Sequence, residues 1–127
     1  MVYHGMVYLS HPFGGNEANR EDSIKIEAGL NAIADEGYTL VNPLNDDNFS
    51  KAAADYGYDE SRILAYCEGF LSGCALVIFC QGWEQSNGCR VEHRVAVENN
   101  IPRIYLDSET TKILRSLAPR FRMEAAA

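Results

Sequence analysis

The chain has 127 residues, 46% hydrophobic and 23% charged, the proportions of a single globular domain with its own core. Its 11 basic and 18 acidic residues give a net charge of −7, which argues against a protein that tracks a nucleic-acid backbone with Lys and Arg. A small anionic ligand is still allowed, because a few backbone N–H groups at a helix N-terminus can hold a phosphate.

In chain order, "MVYLS" (residues 6–10) reads as a first strand that ends in the turn-forming "HPFGGN". Residues 17–36 carry Ile26, Leu30 and Ile33 at helical spacing, with Gly37 as a stop. "YTLVNP" (38–43) is a second strand closed by Pro43, and the polar stretch Leu44 to Tyr58 has no clear period. That stretch is expected to form a lid over a ligand. A helix is expected from Asp59 to Ser72, with Ile63, Leu64, Cys67, Phe70 and Leu71 facing inward.

"CALVIFC" (74–80) is the most apolar short run, as a central strand covered on both faces requires. The loop 81–88 leads to a helix expected over 89–99, "IPRIYL" (101–106) is a further strand, and a last helix is expected over 110–117. The tail "APRFRMEAAA" is expected to fray. Strands alternating with helices predict one α/β domain, a doubly wound parallel sheet of four to five strands flanked by helices.

No apolar run approaches the ~20 residues of a membrane span, and the first residues lack a signal-peptide pattern. The expectation is a cytoplasmic protein with no membrane partner. Cys67, Cys74, Cys80 and Cys89 show neither CxxC nor zinc-ligand spacing and read as reduced thiols in or near the core. Cys89 falls where a loop becomes a helix, a place where thiol pKa values tend to fall. His4, His11 and His93 have no metal-ligand spacing, so no metal is expected.

Ligands of such sheets bind beyond the carboxyl ends of the strands, near the switch in strand order. Here those ends read "SHPFGG", "NPLNDD", "CQGWEQSNG" and "LDSET". The first offers Ser10, His11, Pro12, Gly14 and Gly15, either as a backbone cradle for a phosphate or sugar or as a plain turn. It has neither GxGxxG nor Walker A spacing.

In the third end, Asn87-Gly88 reads as a tight turn, and Ser86 can cap a helix or bind an anion. Glu92 falls in the expected first turn, where the helix dipole favours its ionised form. It suits nucleophilic attack on a sugar carbon, or it is an ordinary first-turn glutamate. His93 beside it suggests an acid–base pair, although adjacent helical residues point in different directions. Trp83, Tyr56 and Tyr58 can stack on a flat base or pack over a domain edge.

Taken together and in order, "VYLSHPFGG", "VNP" and "GW-E-x-S-x-G-x-x-x-E-x-x-x-A" resemble the nucleoside 2-deoxyribosyltransferase-like superfamily. The match looks closest to its small, often phage-encoded branch of uncharacterised domains (DUF4406), over roughly residues 6 to 106. The resemblance implies a flavodoxin-like fold, no metal or organic cofactor, and a homo-oligomer. The implied partner is a small nucleoside or nucleotide.

The resemblance also implies that Glu92 matches the nucleophile that attacks the anomeric carbon. Ser10, Gly14, Gly15, Ser86 and Gly88 match positions that line the sugar or its 5′-phosphate. His93 and Glu68 remain as candidates for the proton donor to the departing base. The expectation leans toward a phosphorylated substrate, on the two serines and the glycine-rich first loop. Two aspartates common in relatives are replaced here by Cys67 and Ala75. The rival expectation is therefore a nucleotide-binding module with impaired catalysis.

Overall fold

The computed structural model describes residues 5–33, 38–45 and 67–126, with side chains described through Leu117. Four strands, β1 (Gly5–Ser10), β2 (Tyr38–Val41), β3 (Leu76–Phe79) and β4 (Arg103–Tyr105), form one sheet. Their order is β2-β1-β3-β4 and every pairing is parallel. The register sets Ser10 beside Phe79 and Phe79 beside Tyr105, so the carboxyl ends of β1, β3 and β4 share one edge.

The described helices are α1 (Glu17–Ile33), α2 (Asn87–Glu98) and α3 (Ser108–Ala126), with residues 67–71 also helical and single 3-10 turns at Pro43–Asn45 and Trp83–Gln85. Because side chains alternate along a strand, β1 serves two cores. Val7 and Leu9 pack with Ile78, with Ile26 and Leu30 of α1, and with Leu114 of α3. Tyr8 faces the other way and packs with Val77, Phe79, Leu71 and the α2 residues Val95 and Ala96. Helices therefore cover both faces, and the sheet is a doubly wound α/β structure of the flavodoxin-like kind.

α1 and α3 cross at close range. A Cβ at Gly29 would lie 2.3 Å from the backbone oxygen of Leu114, so only glycine permits this approach. Ile33 lies on the same helical stripe as Ile26 yet is 61% exposed, because the last turn of α1 runs past that crossing. Cys67 and Leu71 are buried and Phe70 is half-buried, while Ile63, Leu64 and most of the expected lid lie outside the described residues.

Two helix boundaries also differ from expectation. α2 begins at Asn87 rather than Cys89, because Ser86 adopts extended backbone and its side chain accepts from the Cys89 N–H. α3 begins at Ser108, and its backbone stays helical through Ala126 where fraying was expected. At its start, the Asp107 carboxylate accepts from the Thr110 N–H at 2.7 Å and caps the first turn.

Candidate active site

Parity along β1 places Tyr8 and Ser10 on one face, with Ser10 at the carboxyl edge. Across from them α2 turns Glu92 inward. Counting from the Ser86 cap, Glu92 stands in the second turn of α2, so the first-turn placement is corrected. Burial, rather than the dipole at the helix end, governs its carboxyl group.

Glu92 is 8% exposed. Ser10 Oγ donates to Glu92 Oε1 at 2.9 Å, and the Tyr8 hydroxyl donates to Oε2. Both carboxylate oxygens therefore have a donor, and both donors come from one strand face. The Glu92 pKa is raised to about 7, chiefly by burial and also by the charge of Glu68, against the bonds from Tyr8 and Ser10 that act to lower it. Tyr8 is 1% exposed, and burial, reinforced by the Glu92 charge, holds its hydroxyl well above the ordinary tyrosine pKa. Tyr8 therefore acts as a neutral donor.

Cysteines complete the surroundings. Cys67 is 6% exposed; burial, then the Glu92 charge, pushes its thiol up to about 12, with hydrogen bonding from Tyr8 acting the other way. Cys89 is 1% exposed, and burial raises its thiol to about 11 against hydrogen bonding from Ser10 and Ser86 that acts to lower it. The lowered thiol pKa expected at a helix start is corrected, because Cys89 points into the core and loses its solvation. Among the described residues no group of three or more His, Cys, Asp or Glu side chains is gathered as a metal ion would need.

Of the candidates read from sequence, Glu92 and Ser10 come together directly, and Ser86 joins them through Cys89. Glu68 is half-buried and reaches Glu92 by its charge, not by a hydrogen bond. The helical residues 67–71 are regular, so Cys67 rather than Glu68 meets Tyr8. Ala75 stands at the opposite edge of the sheet, its N–H bonded to the Met6 carbonyl. Four residues separate it from the level of Phe79, about 13 Å of strand. Of Cys67 and Ala75, Cys67 is the one whose charge coupling reaches Glu92.

His93 does not form the pair suggested by its place in the chain. Its ring stacks on Trp83 (centroids 4.4 Å apart, planes at 26°) and meets Phe79 edge-on. Its Nε2 lies 2.7 Å from the Tyr105 hydroxyl. Burial and the nearby Arg103 depress its pKa, which favours the neutral ring. Trp83 belongs to this same aromatic layer, seated on Phe79 and Tyr105 at the ends of β3 and β4. Tyr56 and Tyr58 lie outside the described residues.

The first loop is held from several sides. Gly14 and Gly15 both have positive φ, 57° and 74°, with open space where a side chain would stand. Pro12 sits against Gly82, 3.5 Å from where its Cβ would be, which joins this loop to the one after β3. His11 faces Asp22, with Nε2 2.8 Å from its carboxylate and Nδ1 2.7 Å from the Pro12 carbonyl. Arg115 grips the same carboxylate at 2.7 and 3.0 Å. Burial alone would raise the Asp22 pKa; the bonds from Arg115 and His11 outweigh it and hold the carboxyl below the usual range. His11 is thus a strut between loop, α1 and α3. Asn87 and Gly88 form the first turn of α2 rather than the expected loop turn.

Tyr8 is the residue that sequence reading passed over. Its signal was available, since Ser10 was singled out and residues two apart share a strand face.

Residues 5–105 match the family described as "Domain of unknown function (DUF4406)". No curated protein and no solved structure gives a match. No helix among the described residues is long and apolar enough to cross a membrane. The match spans most of the chain, and the chain belongs to the DUF4406 family.

Proposed function

We propose that the protein cleaves or transfers at the N-glycosidic bond of a nucleoside, with Glu92 as nucleophile. The observation that carries this reading is the carboxylate of Glu92, buried at the carboxyl edge of the sheet with a hydroxyl donor on each oxygen. Two donors fix its orientation, which is what attack on a single carbon demands. The resemblance of "GW-E-x-S-x-G-x-x-x-E" to the nucleoside 2-deoxyribosyltransferase-like superfamily supports the same reading.

A Glu92 oxygen bonds to C1′ as the C1′–N bond breaks, and the base leaves with the electron pair and takes up a proton. Water, or a second base, then attacks C1′ and frees the carboxylate. Tyr8 and Ser10 hold Glu92 while its charge is lost to the ester and regained. His93, engaged in the aromatic layer, is out of place as the donor to the base. Glu68 acts on Glu92 as a charged carboxylate and so cannot donate, and no donor to the base is assigned among the described residues.

Charge favours an uncharged nucleoside over its 5′-monophosphate. The two serines that argued for phosphate are committed, Ser10 donating to Glu92 and Ser86 accepting at the α2 cap. Glu68 adds a second negative charge beside Glu92, and a phosphate dianion would approach against both.

A panel of deoxynucleosides and their monophosphates, with free base measured by chromatography, tests the reading. Base released from nucleosides and lost in Glu92→Ala supports it. Release that survives Glu92→Ala removes Glu92 from the chemistry. Binding at micromolar concentration without release points instead to a nucleotide-binding module.

A further inference from the structure

We infer that Glu27 is a positioning residue for the β2 side of the site, acting through Asn42 and Asn45 on the turn that carries Leu44. The sheet register sets this turn beside the reacting groups. Val41 pairs with Tyr8, and continuing that register brings the chain at Pro43 abreast of Ser10, the donor to Glu92. Neighbouring strands lie about 4.7–4.9 Å apart, so the turn leaves β2 at the flank of the site.

α1 grips this turn with a stripe of polar side chains. Asn42 is 5% exposed, and its Nδ2 donates to Ser23 Oγ at 3.0 Å and to Glu27 Oε1 at 3.1 Å. The same Glu27 oxygen accepts from Asn45 Nδ2 at 3.2 Å. One carboxylate oxygen thus bridges the two ends of the turn 42–45. Within the turn, Asn42 Oδ1 accepts from the Leu44 N–H at 3.1 Å, and the Asn42 carbonyl accepts from the Asn45 N–H at 3.0 Å. Arg20 Nε donates to the Leu44 carbonyl at 2.8 Å. Arg20, Ser23 and Glu27 follow one another at helical spacing, so they share one face of α1.

Leu44 is the side chain that this clamp seats. It is 7% exposed and packs with Cys67 and with Phe13 of the first loop. α1 holds that loop too, since Asn19 Nδ2 donates to the Phe13 carbonyl at 3.1 Å. The loops after β1 and β2 are therefore joined at Phe13 and Leu44, and both are fastened to α1. Glu92 is held separately, by Tyr8 and Ser10. A substrate over Glu92 meets the joined loops on its β2 side. Loss of the Glu27 carboxylate releases the turn and leaves Glu92 in place, so the effect falls on substrate binding rather than on the chemical step.

The inference rests on Glu92 as the reacting carboxylate, and its test has two arms that fail separately. In the first, without substrate, the side-chain amides of Asn42 and Asn45 are followed by 15N NMR, assigned with Asn42→Ser and Asn45→Ser. Both signals should move in Glu27→Ala and move far less in Glu27→Gln, whose amide oxygen can still accept from both. Signals that stay in place in Glu27→Ala overturn the inference.

In the second arm, deoxynucleoside turnover is resolved into KM and kcat. Glu27→Ala removes the bonds of both asparagines to a charged acceptor, so KM should rise about tenfold with kcat within about threefold of the parent. Glu27→Gln should keep KM within about threefold. Asn45→Ala, an exposed arm of the bridge, should raise KM about threefold and guards against a poorly folded Glu27→Ala. A merely structural role would lower the folded fraction, and with it the apparent kcat, while KM stays put; that result overturns the inference. So does a glutamine variant as impaired as the alanine one. Should the parent chain release no base, the proposed reaction fails, and the amide signals still decide whether Glu27 holds the turn.

Discussion

Ser10 Oγ lies 2.9 Å from Glu92 Oε1, a bond that ties the end of the first strand to the second turn of α2. It stands opposite the bond from Tyr8, and the pair holds a carboxylate that burial alone would protonate. Only the ionised form attacks carbon, so base release should rise with pH through a midpoint near the Glu92 pKa of about 7. A kcat/KM profile from pH 5 to 9 checks this. A flat profile below pH 6 would mean that the reacting group is ionised already and is not this carboxyl.

Removing either donor should move that midpoint upward, because both bonds favour the ionised form. Tyr8→Phe and Ser10→Ala each delete one hydrogen bond to a charged acceptor, worth about 1.5–3 kcal/mol. Base release at pH 7 should fall by roughly 10- to 100-fold in each, part of it recovered at pH 9. Loss with an unmoved midpoint would assign these hydroxyls to the substrate rather than to Glu92.

The strands were legible because their apolar runs are short and bounded by Gly and Pro, and the alternation of strands and helices gave the parallel sheet. Glu92 was legible only through the order of motifs around it. Its surroundings were less so, for reasons that can be named. Asn87-Gly88 carries the residues of a tight turn, yet Ser86 caps a helix that begins there, which moves Glu92 one turn inward. Burial then reverses the expected ionisation of both Glu92 and Cys89. Cys67 and Tyr8 meet across the sheet face, and neither residue carries a mark of the other in the sequence.

Gly29→Ala offers a test of the fold that is independent of the site. Alanine in an exposed helix is ordinarily about 1 kcal/mol more favourable than glycine. Here the new Cβ would stand 2.3 Å from the Leu114 carbonyl oxygen, a backbone atom that cannot turn aside. The clash decides the sign, and the variant should lose about 1–3 kcal/mol by urea denaturation. A gain in stability would mean that α1 and α3 do not cross here as described.

His93→Ala separates the aromatic layer from the chemistry. His93 stacks on Trp83 and bonds to Tyr105, so its loss should lower stability by about 1–2 kcal/mol. Base release, corrected for folded protein, should stay within about threefold of the parent. A fall of 100-fold would return His93 to the reaction as its acid.

Glu92→Gln should stabilise the protein, by an amount that grows with pH. The folded-state pKa of about 7 stands above the ordinary 4.5. Below pH 4.5 the carboxyl is neutral in both states and costs nothing. Between 4.5 and 7 the unfolded chain ionises while the folded one keeps its proton, so stability falls as pH rises. Above 7 the penalty is complete, about 3 kcal/mol for this separation of pKa values. Glutamine stays neutral and escapes it, while other titrating groups are common to both proteins and cancel. Urea denaturation of the pair at pH 4.5 and pH 8 should therefore show Glu92→Gln gaining about 3 kcal/mol on the parent between the two. An equal difference at both pH values would show that Glu92 ionises as readily in the fold as outside it.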